Sequence, residues 1–134
     1  MQGGVRGMTF AHVSVRTGDM ERSIRFYEHY FGMKLLSRRP IPANNAEIAF
    51  LESEGMPFRL ELTWYKNQKK FEQAEYENRV FDHLAFVIQE MDKMMTQLKA
   101  EKVTVTDEPY ILGTSKIAFI EDPDGTLIEL IERK

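Results

Sequence analysis

Two histidines and two glutamates, His12, Glu61, His83 and Glu129, follow one another in the order His, Glu, His, Glu, each in a stretch that reads as a β-strand. Imidazole nitrogen and carboxylate oxygen together form a donor set for a divalent metal ion. The spacing within the two pairs is similar, 49 residues from His12 to Glu61 and 46 from His83 to Glu129. One half-site used twice explains this better than four accidents, and the two half-sites are expected to face one another. Two imidazoles and two carboxylates leave two positions of an octahedral ion for water or substrate oxygens. Such a site suits Ni²⁺, Co²⁺, Mn²⁺, Fe²⁺ or five-coordinate Zn²⁺. The chemistry is Lewis-acid polarisation of a carbonyl compound and stabilisation of an enediolate, with a carboxylate moving the carbon-bound proton. Glu129 is the expected base. Its same-face neighbours, Leu127 and Ile131, are apolar, and a carboxylate buried between them is costly unless it has a partner. Glu61, with Arg59 and Thr63 on its face, reads by itself as a solvated strand carboxylate.

Two copies of one structural unit are needed to position these groups. Phe10, His12, Ser14 and Arg16 alternate with Ala11, Val13 and Val15, a period-2 pattern that turns His12 away from the valines. Asp19 stands at a helix N-cap, and Met20, Ile24, Tyr27 and Phe31 recur at helical spacing until Gly32, predicting a helix over 19–31. Strands are expected near 34–39, 46–52 and 57–64, separated by Pro40, Pro42, Asn44-Asn45 and the Glu54-Gly55 turn. Residues 65–79 are polar and read as an exposed connection; Lys66, Lys69 and Lys70 within it form a solvated face. A shift of 71 positions then lays Phe10 on Phe81, His12 on His83, Met20 on Met91 and Ile24 on Met95. The pattern restarts, with a helix over 90–101 whose methionines are core and strands near 103–106, 116–121 and 126–132. Glu121-Asp122-Pro123-Asp124-Gly125 reads as a hairpin turn before the Glu129 strand.

The expected fold is therefore α+β: two βαβββ repeats forming curved mixed sheets in one domain over 1–134. Repeat one covers about 8–64, the linker about 65–79 and repeat two about 80–132. Each repeat has a single apolar face, so the halves must cover each other or pair with a second chain, and a homodimer is expected.

Composition narrows the partners. Among 134 residues, 29% are charged and the net charge is −3, which supplies no basic field for nucleic acid or an anionic membrane. Cysteine is absent, so a disulfide framework, a thiol nucleophile and a thiolate metal site are excluded. No apolar run approaches the roughly 18 residues of a membrane span, and residues 1–7 hold no apolar core of a secretory signal. A cytoplasmic location and a small-molecule substrate are the expectations.

These residues resemble the vicinal oxygen chelate superfamily, and within it glyoxalase I of the short bacterial type. The similarity runs through Gly18-Asp19-Met20-Glu21-Arg22-Ser23-Ile24 with Phe26-Tyr27, and through Phe31-Gly32-Met33-Lys34-Leu35-Leu36. It continues in Glu61-Leu62-Thr63 and in Ile117 to Gly125 leading into Ile128-Glu129-Leu130. Glutamate at position 61 looks like glyoxalase I, where related epimerases usually have glutamine and fosfomycin-resistance proteins histidine. The resemblance implies isomerisation of the hemithioacetal of methylglyoxal and glutathione to S-lactoylglutathione. It makes His12, Glu61, His83 and Glu129 the ligands of one divalent ion, Ni²⁺ or Co²⁺ favoured and Zn²⁺ an option, with Glu129 and Glu61 the catalytic carboxylates and Glu129 shuttling the proton. It implies that Arg16 binds a glutathione carboxylate and that the site often lies between two subunits. Two positions depart from the family pattern. Trp64-Tyr65-Lys66 stands where an asparagine usually follows, with Asn67 displaced by two, and Ile111 or Leu112 replaces a lysine before Gly113. The alternatives left open are a different thiol adduct of a dicarbonyl, another superfamily enzyme (epimerase, lyase or dioxygenase), and a non-catalytic small-molecule-binding protein.

Overall fold

The computed structural model describes residues 7–68, 70–72 and 74–133; Lys69 of the lysine cluster lies outside them. The chain runs β1 (Val13–Arg16), α1 (Met20–Phe31), β2 (Lys34–Ile41), a 3₁₀ turn (Pro42–Asn44), β3 (Ala46–Glu52) and β4 (Arg59–Tyr65). It then repeats as β5 (Leu84–Ile88), α2 (Met91–Ala100), β6 (Val105–Leu112), β7 (Ser115–Glu121) and β8 (Leu127–Arg133). The two four-stranded sheets have the same order, β1-β4-β3-β2 and β5-β8-β7-β6. In each, the first strand pairs parallel to the last and the other pairings are antiparallel, which makes both sheets mixed. The fold is α+β, as the repeat predicts.

Helix α1 forms where the sequence places its start and stop signals. The Asp19 carboxylate accepts from Arg22 N at 3.1 Å, satisfying a donor that the first turn leaves without a partner. Gly32 ends the helix at φ 61°, a left-handed conformation that costs glycine nothing, with its N–H on Glu28 O. Helix α2 has no such local cap. Its first N–H, on Met91, is met at 2.7 Å by the Glu132 carboxylate of β8, a partner that only the folded chain supplies.

One core joins the halves. Val15, Leu60 and Leu62 of the first sheet and Ile120, Ile128 and Leu130 of the second belong to a single buried cluster with Met20, Ile24 and Tyr27 of α1 and Met91, Met95 and Leu98 of α2. Phe31 of α1 stacks on Phe86 of β5 with ring centroids 3.9 Å apart, so packing crosses from one repeat to the other. Since strand side chains alternate, residues beside these core positions lie on the faces of the sheets turned away from the core.

Three expectations need correction. His12 and His83 each stand one residue before their strands, since β1 begins at Val13 and β5 at Leu84. Strand β2 continues through Pro40 to Ile41, which an edge strand permits because proline's missing donor need not face a neighbour. Strand β6 spans Val105–Leu112 rather than four residues; it is also an edge, and register shifts on either side of Asp107 let Pro109 and the charged pair Asp107-Glu108 sit in it. Among the described residues, no helix is long and apolar enough to cross a membrane.

The Asp122 turn does more than reverse the chain. Asp122 is 5% exposed; its Oδ1 accepts the backbone N–H groups of Asp124 and Thr126, both at 2.9 Å, and its Oδ2 accepts the Tyr27 hydroxyl at 2.8 Å. Asp124 beside it accepts from Arg22, at 2.7 Å, and from Gly18 N, at 3.1 Å. These bonds clasp the start of α1 to the turn before β8. A Cβ at Gly18 would meet Phe71 at 3.0 Å and Asp124 at 3.2 Å, so the linker also closes onto this junction. Removing the carboxyl in Asp122→Ala orphans the buried Tyr27 hydroxyl and two backbone donors, and costs on the order of 3 kcal/mol in urea unfolding. Burial pushes the Asp122 carboxyl above the ordinary aspartate value, with the Tyr27 and backbone donors pulling it partly back. The folded protein therefore binds this proton more tightly than the unfolded chain does. The group's contribution to stability is fully present below its unfolded value and is lost as pH rises through the raised folded value. Asp122→Asn is expected to flatten that decline, measured as unfolding free energy against pH.

Candidate metal centre

The structure sorts the four ligand candidates into two pairs. Glu61 lies on β4 between Leu60 and Leu62, which enter the core, so its side chain takes the face turned away from it. Glu129 lies on β8 between Ile128 and Leu130 and is turned outward for the same reason. His12 Nε2 is 3.8 Å from Glu61 Oε1, and His83 Nε2 is 3.2 Å from Glu129 Oε1. The two glutamate side chains are equally covered, each 16% exposed, which overturns the expectation that Glu61 is a solvated carboxylate. The cover has a common source. Phe50 pairs across the sheet with Glu61 and packs edge-on against the His12 ring; Phe119 pairs with Glu129 and packs edge-on against the His83 ring. Sequence reasoning missed both phenylalanines, although each occupies a corresponding strand of its repeat.

Within one chain the pairs stay apart. Among the described residues, no three histidines, aspartates or glutamates gather closely enough to hold one ion. The half-sites thus do not face one another inside this chain, because both sheets turn their other faces to the shared core. The donor set itself fits a divalent ion. Bonds of about 2.1 Å to nitrogen and oxygen at a right angle put the two donors about 3 Å apart, close to the His83 to Glu129 separation and somewhat below that of His12 to Glu61.

The surroundings of the carboxylates differ. Glu61 Oε1 accepts from Thr63 Oγ1 at 3.3 Å, and Thr63 is bonded to Ser14 Oγ at 2.8 Å. Ile131 and Ala85 occupy the matching places beside Glu129, whose one described polar partner is His83. Arg16 pairs with Thr63 in the row next to Glu61. Its guanidinium lies 4.1 Å over the Tyr65 ring, with Nη1 donating to Gln68 Oε1 at 2.5 Å. The third histidine, His29, is elsewhere, at the end of α1 beside Glu101. A cleft of about 980 Å³ runs along β5 past the end of α1 and one side of α2; it includes Phe10, Phe58 and Val87 but none of the four ligand candidates.

Known proteins share this fold. A lactoylglutathione lyase of Arabidopsis thaliana is 39% identical over 128 residues, which cover 92% of this chain and 44% of the relative. One from Haemophilus influenzae is 34% identical over 131 residues, covering 95% of this chain and 94% of the relative. The chain thus spans less than half of the plant protein and nearly all of the bacterial one. Glyoxalase I from Zea mays superposes with a TM-score of 0.76 at 35% identity, over 92% of this chain and 44% of that one. A glyoxalase I of Leishmania major described as trypanothione-dependent superposes with a TM-score of 0.79 at 27% identity, over 94% of this chain and 87% of that one. The profile of the Glyoxalase/Bleomycin resistance protein/Dioxygenase superfamily matches residues 9–130, and with these relatives and this repeated fold the chain belongs to that superfamily.

Proposed function

We propose that the protein is a metal-dependent lactoylglutathione lyase, a homodimer whose sites each take His12 and Glu61 from one chain and His83 and Glu129 from the other. The observation that carries this is the repeated His-Glu pair, equivalent in both halves and incomplete in either alone. Support for a second copy comes from the exposed apolar side chains beside the β5 cleft, Phe10 at 78%, Phe58 at 61% and Val87 at 52%. His12, Glu61, His83 and Glu129 would hold a divalent ion, with Ni²⁺ or Co²⁺ favoured and Zn²⁺ an option, and it would supply Lewis acidity to substrate oxygens.

The chain's own groups do the rest. Glu129 takes the proton from the carbon that carries sulfur and returns it to the neighbouring carbon, while the hydroxyl proton passes between the two oxygens; atoms balance, as an isomerisation requires. Glu129 suits this better than Glu61 because, among the described residues, no hydroxyl tethers it, whereas Glu61 is held by Thr63, itself bonded to Ser14. Arg16, fixed by Tyr65 and Gln68, offers its guanidinium to a carboxylate of the thiol. Metal-free protein supplied with Ni²⁺, Co²⁺ or Zn²⁺ and given methylglyoxal plus glutathione is expected to form thioester; no turnover with any of the three overturns the assignment.

A second reading, the same reaction on a different thiol, is favoured by the tip of the β6-β7 hairpin. Tyr110, Ile111 and Leu112 are 44%, 57% and 58% exposed there and offer no cation to a second carboxylate. Competition between glutathione and less anionic thiols separates the two readings through kcat/KM. A cytoplasmic location accords with either.

A further inference from the structure

The repeat makes the two histidines a controlled comparison. Their rings are propped alike: His12 meets Phe50 edge-on with centroids 5.0 Å apart at 81°, and His83 meets Phe119 at 5.3 Å and 86°. What differs is the preceding residue. Half one has Ala11, and half two has Asp82. Asp82 Oδ1 lies 2.5 Å from His83 Nδ1, while Nε2 of the same ring faces Glu129 Oε1. Among the described residues, the one polar partner of His12 is Glu61.

A neutral imidazole carries one proton on either of its two nitrogens, and only the bare nitrogen can bind a metal. A carboxylate at Nδ1 holds the proton there, leaves the Nε2 lone pair free and stops the ring from turning. We propose that Asp82 is a positioning residue that presets His83 for metal and makes half two the anchoring half of the site. This rests on the metal-site reading above. His12, lacking such a partner, must be selected from two tautomers when an ion arrives. The carboxylates are arranged in the opposite sense: Thr63, itself bonded to Ser14, donates to Glu61, while among the described residues Glu129, beside Ile131 and Ala85, meets no hydroxyl and has His83 as its polar partner. Half one thus holds its carboxylate and leaves its imidazole loose, and half two does the reverse. A preset imidazole beside Glu129 would hold a divalent ion, leaving Glu129 to move the proton.

Asp82 has 67% of its side chain exposed, so its contact with His83 adds little to the stability of the fold. That separates an orienting role from a structural one. The test measures Zn²⁺ or Co²⁺ affinity by competition with a chromophoric chelator in the wild type and in Asp82→Ala, Asp82→Asn and Ala11→Asp. Asp82→Ala is expected to weaken metal binding about 10–100-fold with the melting temperature of metal-free protein unchanged. Asp82→Asn, whose amide oxygen still accepts from Nδ1–H, retains most of the affinity, and Ala11→Asp tightens binding. In metal-free protein, imidazole ¹⁵N shifts report the Nδ1–H tautomer of His83 in the wild type and a shift toward Nε2–H, facing Glu129, in Asp82→Ala. Wild-type affinity and an unchanged tautomer in Asp82→Ala overturn the role of Asp82 while leaving the metal site standing. A wild type that binds no ion overturns both.

Discussion

Replacing Glu129 by glutamine is expected to lower kcat by about three orders of magnitude at saturating metal, within the range that a positioned general base contributes. The substitution keeps the shape of the side chain and an oxygen beside His83 Nε2, so the fold and the cover from Phe119 persist. It removes the carboxylate proposed to accept the carbon-bound proton. Metal affinity falls too, by about tenfold, because a neutral amide oxygen is a weaker ligand than a carboxylate. The loss of turnover exceeds the loss of binding. Glu61→Gln is expected to show the opposite balance, since Glu61 is tethered by the Thr63 hydroxyl and its proposed role is to hold the ion. Solvent-deuterium incorporation into the product checks the assignment directly, because Glu129→Gln must lose exchange along with turnover. Unchanged kcat in Glu129→Gln, with metal bound, rules out Glu129 as the base.

The second large effect concerns which chain supplies which ligand. His12→Ala and His83→Ala homodimers are each expected to be inactive, since every site loses one imidazole. Co-refolded in equal amounts, they recover about a quarter of the wild-type sites if each site combines half one of one chain with half two of the other. The reasoning is a matter of counting: half of the randomly formed dimers are mixed, and each mixed dimer carries one site with both mutations and one with neither. A site closed within a single chain yields no active combination. Activity of the mixture, against each homodimer alone, therefore decides between the two arrangements. The single-chain structure favours the shared one, because both sheets turn their core faces to a common cluster and leave the His-Glu pairs outside it.

Much of this could be read from the chain before it folds. The alternation about Glu61 and Glu129 reports which face each takes, because strand side chains have a period of two whatever lies beyond the strand. Asp19 and Gly32 delimit α1 through bonds made within a few residues, and the 71-residue shift pairs His12 with His83 through identity of local pattern. The length of β6 escapes the sequence for a local reason as well: Pro109 and two acidic residues look like a break, and only the irregular register with β7 absorbs them.

Contacts between distant segments are of another kind. Nothing near Asp122 announces Tyr27, 95 residues away, and nothing near Met91 announces Glu132; both bonds exist because the helices pack between segments that the sequence separates. The same holds for the His-Glu pairs. Residue type and spacing make His12, Glu61, His83 and Glu129 a donor set, but the direction in which each pair points follows from where the helices bury the apolar faces. Burial of that shared core is a sum over both halves at once, so it turned two half-sites that look alike in sequence outward and apart, where local pattern alone would have set them face to face.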